Sequence, residues 1–170
     1  MNVEELKKLK LPFEVENIEW RVQKSGMLAS GQKWGQVLAY VTNRGVMDRL
    51  DDVVGAENWK NEYSPAPDGG ILCGISIKIG DEWVTKYDGA DNTLIEATKG
   101  GLSNAMKRSA VQWGIGRYLY GLDMEFVTLM DKKPFEMKGH NIAYSKELGK
   151  TYYKIPTLPA WAMPKEKNNE

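Results

Sequence analysis

Four cations, Lys99, Lys107, Arg108 and Arg117, fall in one stretch whose only acid is Glu96. Lys107 and Arg108 are adjacent, and Asn104 stands one helical turn before Arg108. Side chains of this kind neutralise phosphates and hold a nucleic-acid backbone without reading its bases. A second set, Lys78 with Trp83 and Tyr87, joins a cation to aromatics able to stack on bases. Bond-breaking chemistry has few anchors. His140 is the sole histidine, and a catalytic triad or histidine metal site would rest on it alone. Cys73 is the sole cysteine, which excludes an internal disulfide and a cysteine metal cluster and reads as a small core residue. Lys99-Gly100-Gly101 lacks the spaced glycines and the Lys-Ser/Thr ending of a phosphate loop. A two-acid-plus-lysine nuclease finds Pro67-Asp68 and Lys78, but Ser76 stands where hard cations need a second carboxylate. Asp88 and Asp91 are the remaining cation candidates, and Asp88 to Asn92 reads equally as a turn. The expectation is a protein without catalytic residues, metal or cofactor.

The cations must be positioned by a long helix. Thr93 with Glu96 forms a capping box at its start, and Gly121 is the expected stop. Leu102, Ala105, Met106, Ser109, Trp113 and Gly116 share one core-facing side. Lys107 and Arg108 then face outward as two adjacent exposed cations, flanked by Asn104 and Val111. Before this helix, Ile71 to Ile79 alternates with period two, and Gly80-Asp81 is a Gly-first hairpin turn. That turn pairs Ile77 with Val84 and Gly74 with Tyr87. It gathers Lys78, Trp83, Thr85 and Tyr87 on the face opposite the isoleucines, a surface for solvent, a subunit or nucleic acid.

The remaining elements follow from pattern. A short amphipathic helix covers Val3 to Leu11, ended by Pro12. Strands are expected at Ile18 to Gln23, Lys33 to Val41 and Trp59 to Tyr63, with Ser25 to Gln32 a loop. A helix from about Arg44 to Val54 places Val46, Met47, Leu50, Val53 and Val54 inward and stops at Gly55. Asp48, Arg49, Asp51 and Asp52 fall on its outer face. Residues 131 to 154 show no clear periodicity. The Pro-rich, apolar Ile155 to Pro164 is an extended arm, packed on its own domain or on a neighbour, and residues 165–170 form a disordered tail. The fold class is α+β, an antiparallel sheet with a β-β-β-α core and the long helix laid across it.

With 170 residues, 42% apolar and 27% charged, the chain suits one domain with a true core, assigned to residues 1–164. Its net charge of zero argues against a long basic tail but leaves room for a basic stripe balanced by acid elsewhere. No signal peptide or bilayer-spanning run is read, so a cytoplasmic location is expected.

The blocks Val37 to Leu50, Gly55-Ala-Glu-Asn-Trp59, Gly69 to Ile77 and Lys99 to Leu119 occur in an order that resembles the Rad52/Rad22 family of single-strand annealing proteins. The closest likeness is to its phage members, the Sak type, over about residues 10–125, with 126–164 as a C-terminal arm. The resemblance implies a homo-oligomeric ring of many subunits, about ten or more. It also implies ATP-independent annealing of single-stranded DNA to its complementary strand in recombination and repair, in a bacterial host cell where the protein is phage-encoded. A single-strand-binding protein or a phage exonuclease is a further candidate partner, and no membrane is implied. Family DNA-binding cations match Lys99, Lys107 and Arg108, with Asn104 beside them. The family arginine at the start of the short helix meets Gly45, and Arg44 lies one position earlier. Another family arginine falls on Val111. Two rival functions remain, a single-strand-binding protein that does not anneal and a metal-dependent nuclease.

Overall fold

The computed structural model describes residues 3–67, 69–91 and 97–165. The expected Thr93–Glu96 capping box, Asp68 and the tail at 166–170 lie outside the described residues. The chain is a mixed α/β fold of antiparallel sheets with few helices.

Strands β1 (Ile18–Met27) and β2 (Lys33–Val41) form a hairpin, with Ile18 opposite Val41 and Met27 opposite Lys33. The register shifts between Val22 and Lys24, so Gln23 sits at a bulge, where a strand bends and re-aims a side chain. Ser25 to Met27, expected in a loop, therefore continue β1. Helix α2 (Asn43–Val54) is capped by Thr42, whose Oγ1 accepts the Gly45 N–H at 3.0 Å, and ends at Gly55 with φ of 84°. A second hairpin follows β3 (Trp59–Pro65). Strands β4 (Ile71–Ile79) and β5 (Glu82–Ala90) pair Ile77 with Val84 and Gly74 with Tyr87, the register that the Gly80-Asp81 turn requires.

The sheet is not one but three. β1, β2 and β6 (Glu125–Leu129) form the first, in the order β1-β2-β6, and β3-β4-β5 form the second. A third hairpin, β7 (His140–Ser145) with β8 (Gly149–Lys154), occupies the stretch that carried no legible period. It is tied to β1 through the Trp20 carbonyl, which accepts from the Tyr153 hydroxyl at 2.8 Å and the Asn141 amide at 3.2 Å. The Pro-rich arm buries Leu158 and Ala162 in the same chain's core but leaves Trp161 exposed.

Helix α3 (Ala97–Gln112) packs across β4 and β5. Met106, Ala110 and Trp113 meet Cys73, Ile75 and Ile77 in the core, and the Trp113 indole N–H donates to the Ile75 carbonyl at 3.0 Å. The helix stops at Gln112 rather than Gly121. Gly114 takes a φ of 93°; its N–H bonds the Val111 carbonyl, and the Ile115 N–H reaches back to Ala110. Those two bonds form a Schellman stop, closed by the fully buried Ala110 and Ile115. Gly116, also in the left-handed region, lies past the stop, so it and Trp113 do not extend the helix face.

Arg49, expected on the outer face of α2, is half-buried. Its guanidinium donates to the carbonyls of Lys8, Leu11 and Pro12 at 3.2, 2.7 and 3.1 Å and stacks 4.0 Å from the Phe13 ring centroid. One side chain thereby fixes the chain as it leaves helix α1 (Val3–Lys7). Replacing Arg49 by Ala is expected to destabilise the protein by about 2–3 kcal/mol, since several charge-assisted bonds and a stacked cation are lost together. Replacing neighbouring Asp48 should change stability by less than about 0.5 kcal/mol. Urea denaturation of the two variants checks the difference.

Candidate nucleic-acid interface

Between β1–β2 and the outward side of α3 runs a groove of about 890 Å³. One wall presents Arg21, Gln23, Leu38 and Tyr40; the other presents Asn104, Lys107, Arg108 and Val111. Gly89 to Asp91, Tyr120 and Leu122 complete the described lining. The walls follow from strand periodicity. Trp20 points to the core, so Glu19 and Arg21 point to the other face, with Tyr40 across from Glu19 and Leu38 across from Arg21. The bulge adds Gln23 to the same side.

Lys107 is not the exposed cation that helical spacing suggests. It is 8% exposed, with Glu19 of β1 and Tyr40 of β2 set against its ammonium. Its ammonium donates to Glu19 Oε1 at 3.2 Å and lies 5.7 Å from the Tyr40 ring centroid. Burial, followed by the nearby Arg21 charge, pulls its pKa below the usual lysine value, against the pull of Glu19. Arg21 donates to the same Glu19 oxygen at 2.8 Å. Arg108 is exposed, and its Nε donates to Asp88 Oδ1 at 3.0 Å. Partial burial pushes the Asp88 carboxyl up, but the Gly89 N–H, Arg108 and the Gln112 amide outweigh it and hold it below the usual range.

The other expected residues lie apart. Lys99 is exposed in the first turn of α3 and does not line the groove. Arg44 is exposed on α2, also off the groove. The Gly45 position is buried so tightly that a Cβ would sit 3.0 Å from Asn17 Oδ1, which explains why no long side chain stands there. Val111 gives the groove an apolar stretch of wall. Lys78, Trp83 and Tyr87 share the outer face of β4–β5, where Trp83 and Tyr87 are exposed and Lys60 lies 5.6 Å from the Trp83 ring centroid. Arg117 is spent internally, since its guanidinium binds the Val111 and Gln112 carbonyls at 2.7–2.9 Å at the end of α3. Arg21, Gln23, Tyr40 and Tyr120 were missed by sequence reasoning. For Arg21 the signal was present, as alternation from Ile18 puts it on the face opposite Trp20.

The catalytic candidates stay apart from one another. Ser76 is buried and shares a 2.8 Å hydrogen bond with Thr85. His140 Nδ1 lies 3.2 Å from the Lys138 carbonyl oxygen. Among the described residues no group of three or more His, Cys, Asp or Glu side chains is placed to hold a metal ion. Burial pushes the Cys73 thiol up to about 11, against hydrogen bonds with Tyr63 and Ser109. No helix among the described residues is long and apolar enough to cross a membrane.

Residues 3–137 match the family model described as Rad52/22 family double-strand break repair protein. The chain is similar to the single-stranded DNA-binding protein DdrA of Deinococcus deserti, 31% identical over 93% of this chain and 69% of the relative. It is equally similar to DdrA of Deinococcus radiodurans, at 31% identity over 93% of this chain and 67% of the relative.

Two stability measurements follow from this geometry. Lys107→Ala should cost about 1–3 kcal/mol, because it strips a buried ion pair, whereas Arg108→Ala should cost under about 0.5 kcal/mol. Thermal melts at fixed salt separate the two. The raised Cys73 thiol favours the neutral form in the fold, so its contribution is complete below about pH 9 and is lost as pH rises toward 11. Cys73→Ala should therefore lose less stability than the parent between pH 8 and pH 11, a gap on the order of 2 kcal/mol by denaturant titration.

Proposed function

Because the chain belongs to the Rad52/22 double-strand break repair family, we propose that it binds single-stranded DNA along the α3 groove and anneals complementary strands without nucleotide or divalent metal. The observation that carries this reading is the convergence of Arg21, Lys107 and Arg108 from two different elements on one groove, with Gln23 and Asn104 between them. Such a surface suits phosphates. It holds a strand by its backbone and leaves Watson–Crick edges available to a partner strand, whereas base-edge hydrogen bonding would impose sequence preference and block pairing. The Deinococcus relatives are named for single-strand binding, and that property is carried to this chain as part of the proposal.

One groove offers few cations, so a long strand requires repetition. Copies of the chain form a ring of about ten or more subunits, each adding the same short track. Tyr120, Phe126 and Trp161, exposed by 71%, 69% and 56%, supply apolar surface for such contacts. The compact phage type of the family is the model for this mode of action, and the cytoplasm is its setting. Lys99 and Arg44 lie outside the groove and serve, in this reading, as flanking contacts between adjacent tracks. A single-strand-binding protein or an exonuclease then presents the strand.

The test is annealing of two labelled complementary oligonucleotides followed by energy transfer, with chelator present and ATP absent. The wild-type chain should accelerate annealing under these conditions. Arg21→Glu combined with Arg108→Glu should reduce the acceleration at least about tenfold, since two phosphate contacts are reversed in sign. Both positions are exposed, so circular dichroism should be unchanged. Lys107→Glu is not suitable, because it would bury a second carboxylate against Glu19. A requirement for ATP or magnesium, binding without annealing, or full activity in the double variant overturns the reading.

A further inference from the structure

Arg21 Nη2 and Lys107 Nζ converge on one atom. Both donate to Glu19 Oε1, at 2.8 and 3.2 Å, and the two cations come from opposite walls of the groove. A single oxygen held by a guanidinium and an ammonium is the coordination that a phosphodiester oxygen would receive. Tyr40 underlies the arrangement, with Arg21 at 6.0 Å and Lys107 at 5.7 Å from its ring centroid. Lys107 is almost wholly buried, and a buried ammonium needs an anion beside it. Glu19 meets that need, yet it is about one-third exposed, and both cations that it holds line the groove. An anion arriving from the groove can therefore reach the same cations.

We propose that Glu19 is a resident substitute for a DNA phosphate. In the chain without DNA its carboxylate occupies an anion seat between Arg21 and Lys107. When a single strand enters, a backbone phosphate takes that seat and Glu19 turns out to solvent. The proposal rests on the groove being the strand's track and goes further in naming one seat, its ligand and the side chain that guards it. It also gives Glu19 a role in selectivity. Mononucleotides or free phosphate must displace a tethered carboxylate with one contact, whereas a strand held at neighbouring subunits does so with its other contacts already made. The seat thus favours polymer over small anions.

The experiment is binding of an oligo-dT strand to the full chain, followed by fluorescence anisotropy over a series of salt concentrations. Glu19→Gln keeps the shape but removes the charge. It is expected to tighten binding about three- to ten-fold at low salt and to steepen the salt slope by roughly 0.7, one more net phosphate neutralised. Inorganic phosphate should compete measurably with the strand in this variant and not in wild type. Asp48→Asn, which changes net charge equally from the outer face of α2, should leave affinity and slope unchanged. Unchanged or weaker binding by a folded Glu19→Gln chain overturns the proposal, as does an equal gain from Asp48→Asn. Should Glu19→Gln fail to fold, Glu19→Asp decides: it withdraws the carboxylate by one methylene, and tighter binding supports the seat while unchanged binding refutes it. A wild-type chain that binds no single strand overturns the underlying function, and the seat falls with it.

Discussion

The place where α3 ends governs most of what surrounds the groove. A helix continued beyond Gln112 would run straight on past Trp113, whose indole binds the β4 carbonyl, and leave no reversal after it. The left-handed Gly114 instead breaks the ladder, and the Schellman bonds satisfy the carbonyls so exposed. Arg117 and Lys86 complete the cap, with Lys86 Nζ donating to the Gln112 carbonyl at 3.0 Å and lying 4.5 Å from the Trp113 ring centroid. Their positive charge suits the negative end of the helix dipole. Past the stop the chain doubles back, and the Tyr118 hydroxyl takes the Phe13 N–H at 3.0 Å. Leu119, Tyr120 and Leu122 are brought to the groove by that reversal.

Charge in this protein is organised by position rather than amount. Equal numbers of acids and bases give no net charge, and yet the groove gathers cations because acids are placed behind them. Glu19 and Asp88 each hold a cation in a fixed direction. An isolated flexible lysine or arginine loses rotamer freedom when it meets a ligand, and a side chain already oriented loses less. The same acids reduce the attraction that the cations exert at a distance. The surface is therefore ordered and mildly attractive to anions rather than strongly basic.

The parts legible in the sequence were those set by local periodicity. The β4–β5 hairpin could be read to the residue, since a two-residue Gly-Asp turn leaves one register. Strand β2 and helix α2 were equally clear from alternation and from a single apolar stripe. The α3 terminus was not, because Gly114, Gly116 and Gly121 all qualify as stops, and the first is closed by burial of Ile115 against Ala110, which depends on the surrounding core. The division into separate sheets was hidden for a related reason: pairing of β2 with β6 is a long-range choice that no window of sequence contains. Lys107 shows the limit most clearly. Helical spacing placed it opposite the core face correctly, but Glu19 and Tyr40 of a distant hairpin reach it there and bury its ammonium. Arg49 failed in the same manner, as its long side chain reaches carbonyls of a distant segment.

The order β1-β2-β6 places the whole β3–α3 unit inside the span between two adjacent strands. The hairpins β1–β2 and β4–β5 need only short loop closures, while β6 can join β2 only after everything between them has become compact. Contacts of that separation slow folding and form at a late stage of assembly. Leu122 and Tyr120, which line the groove, lie just before β6. The chain therefore has no finished groove until its least local pairing is made, so a nascent or partly folded copy presents only part of that lining.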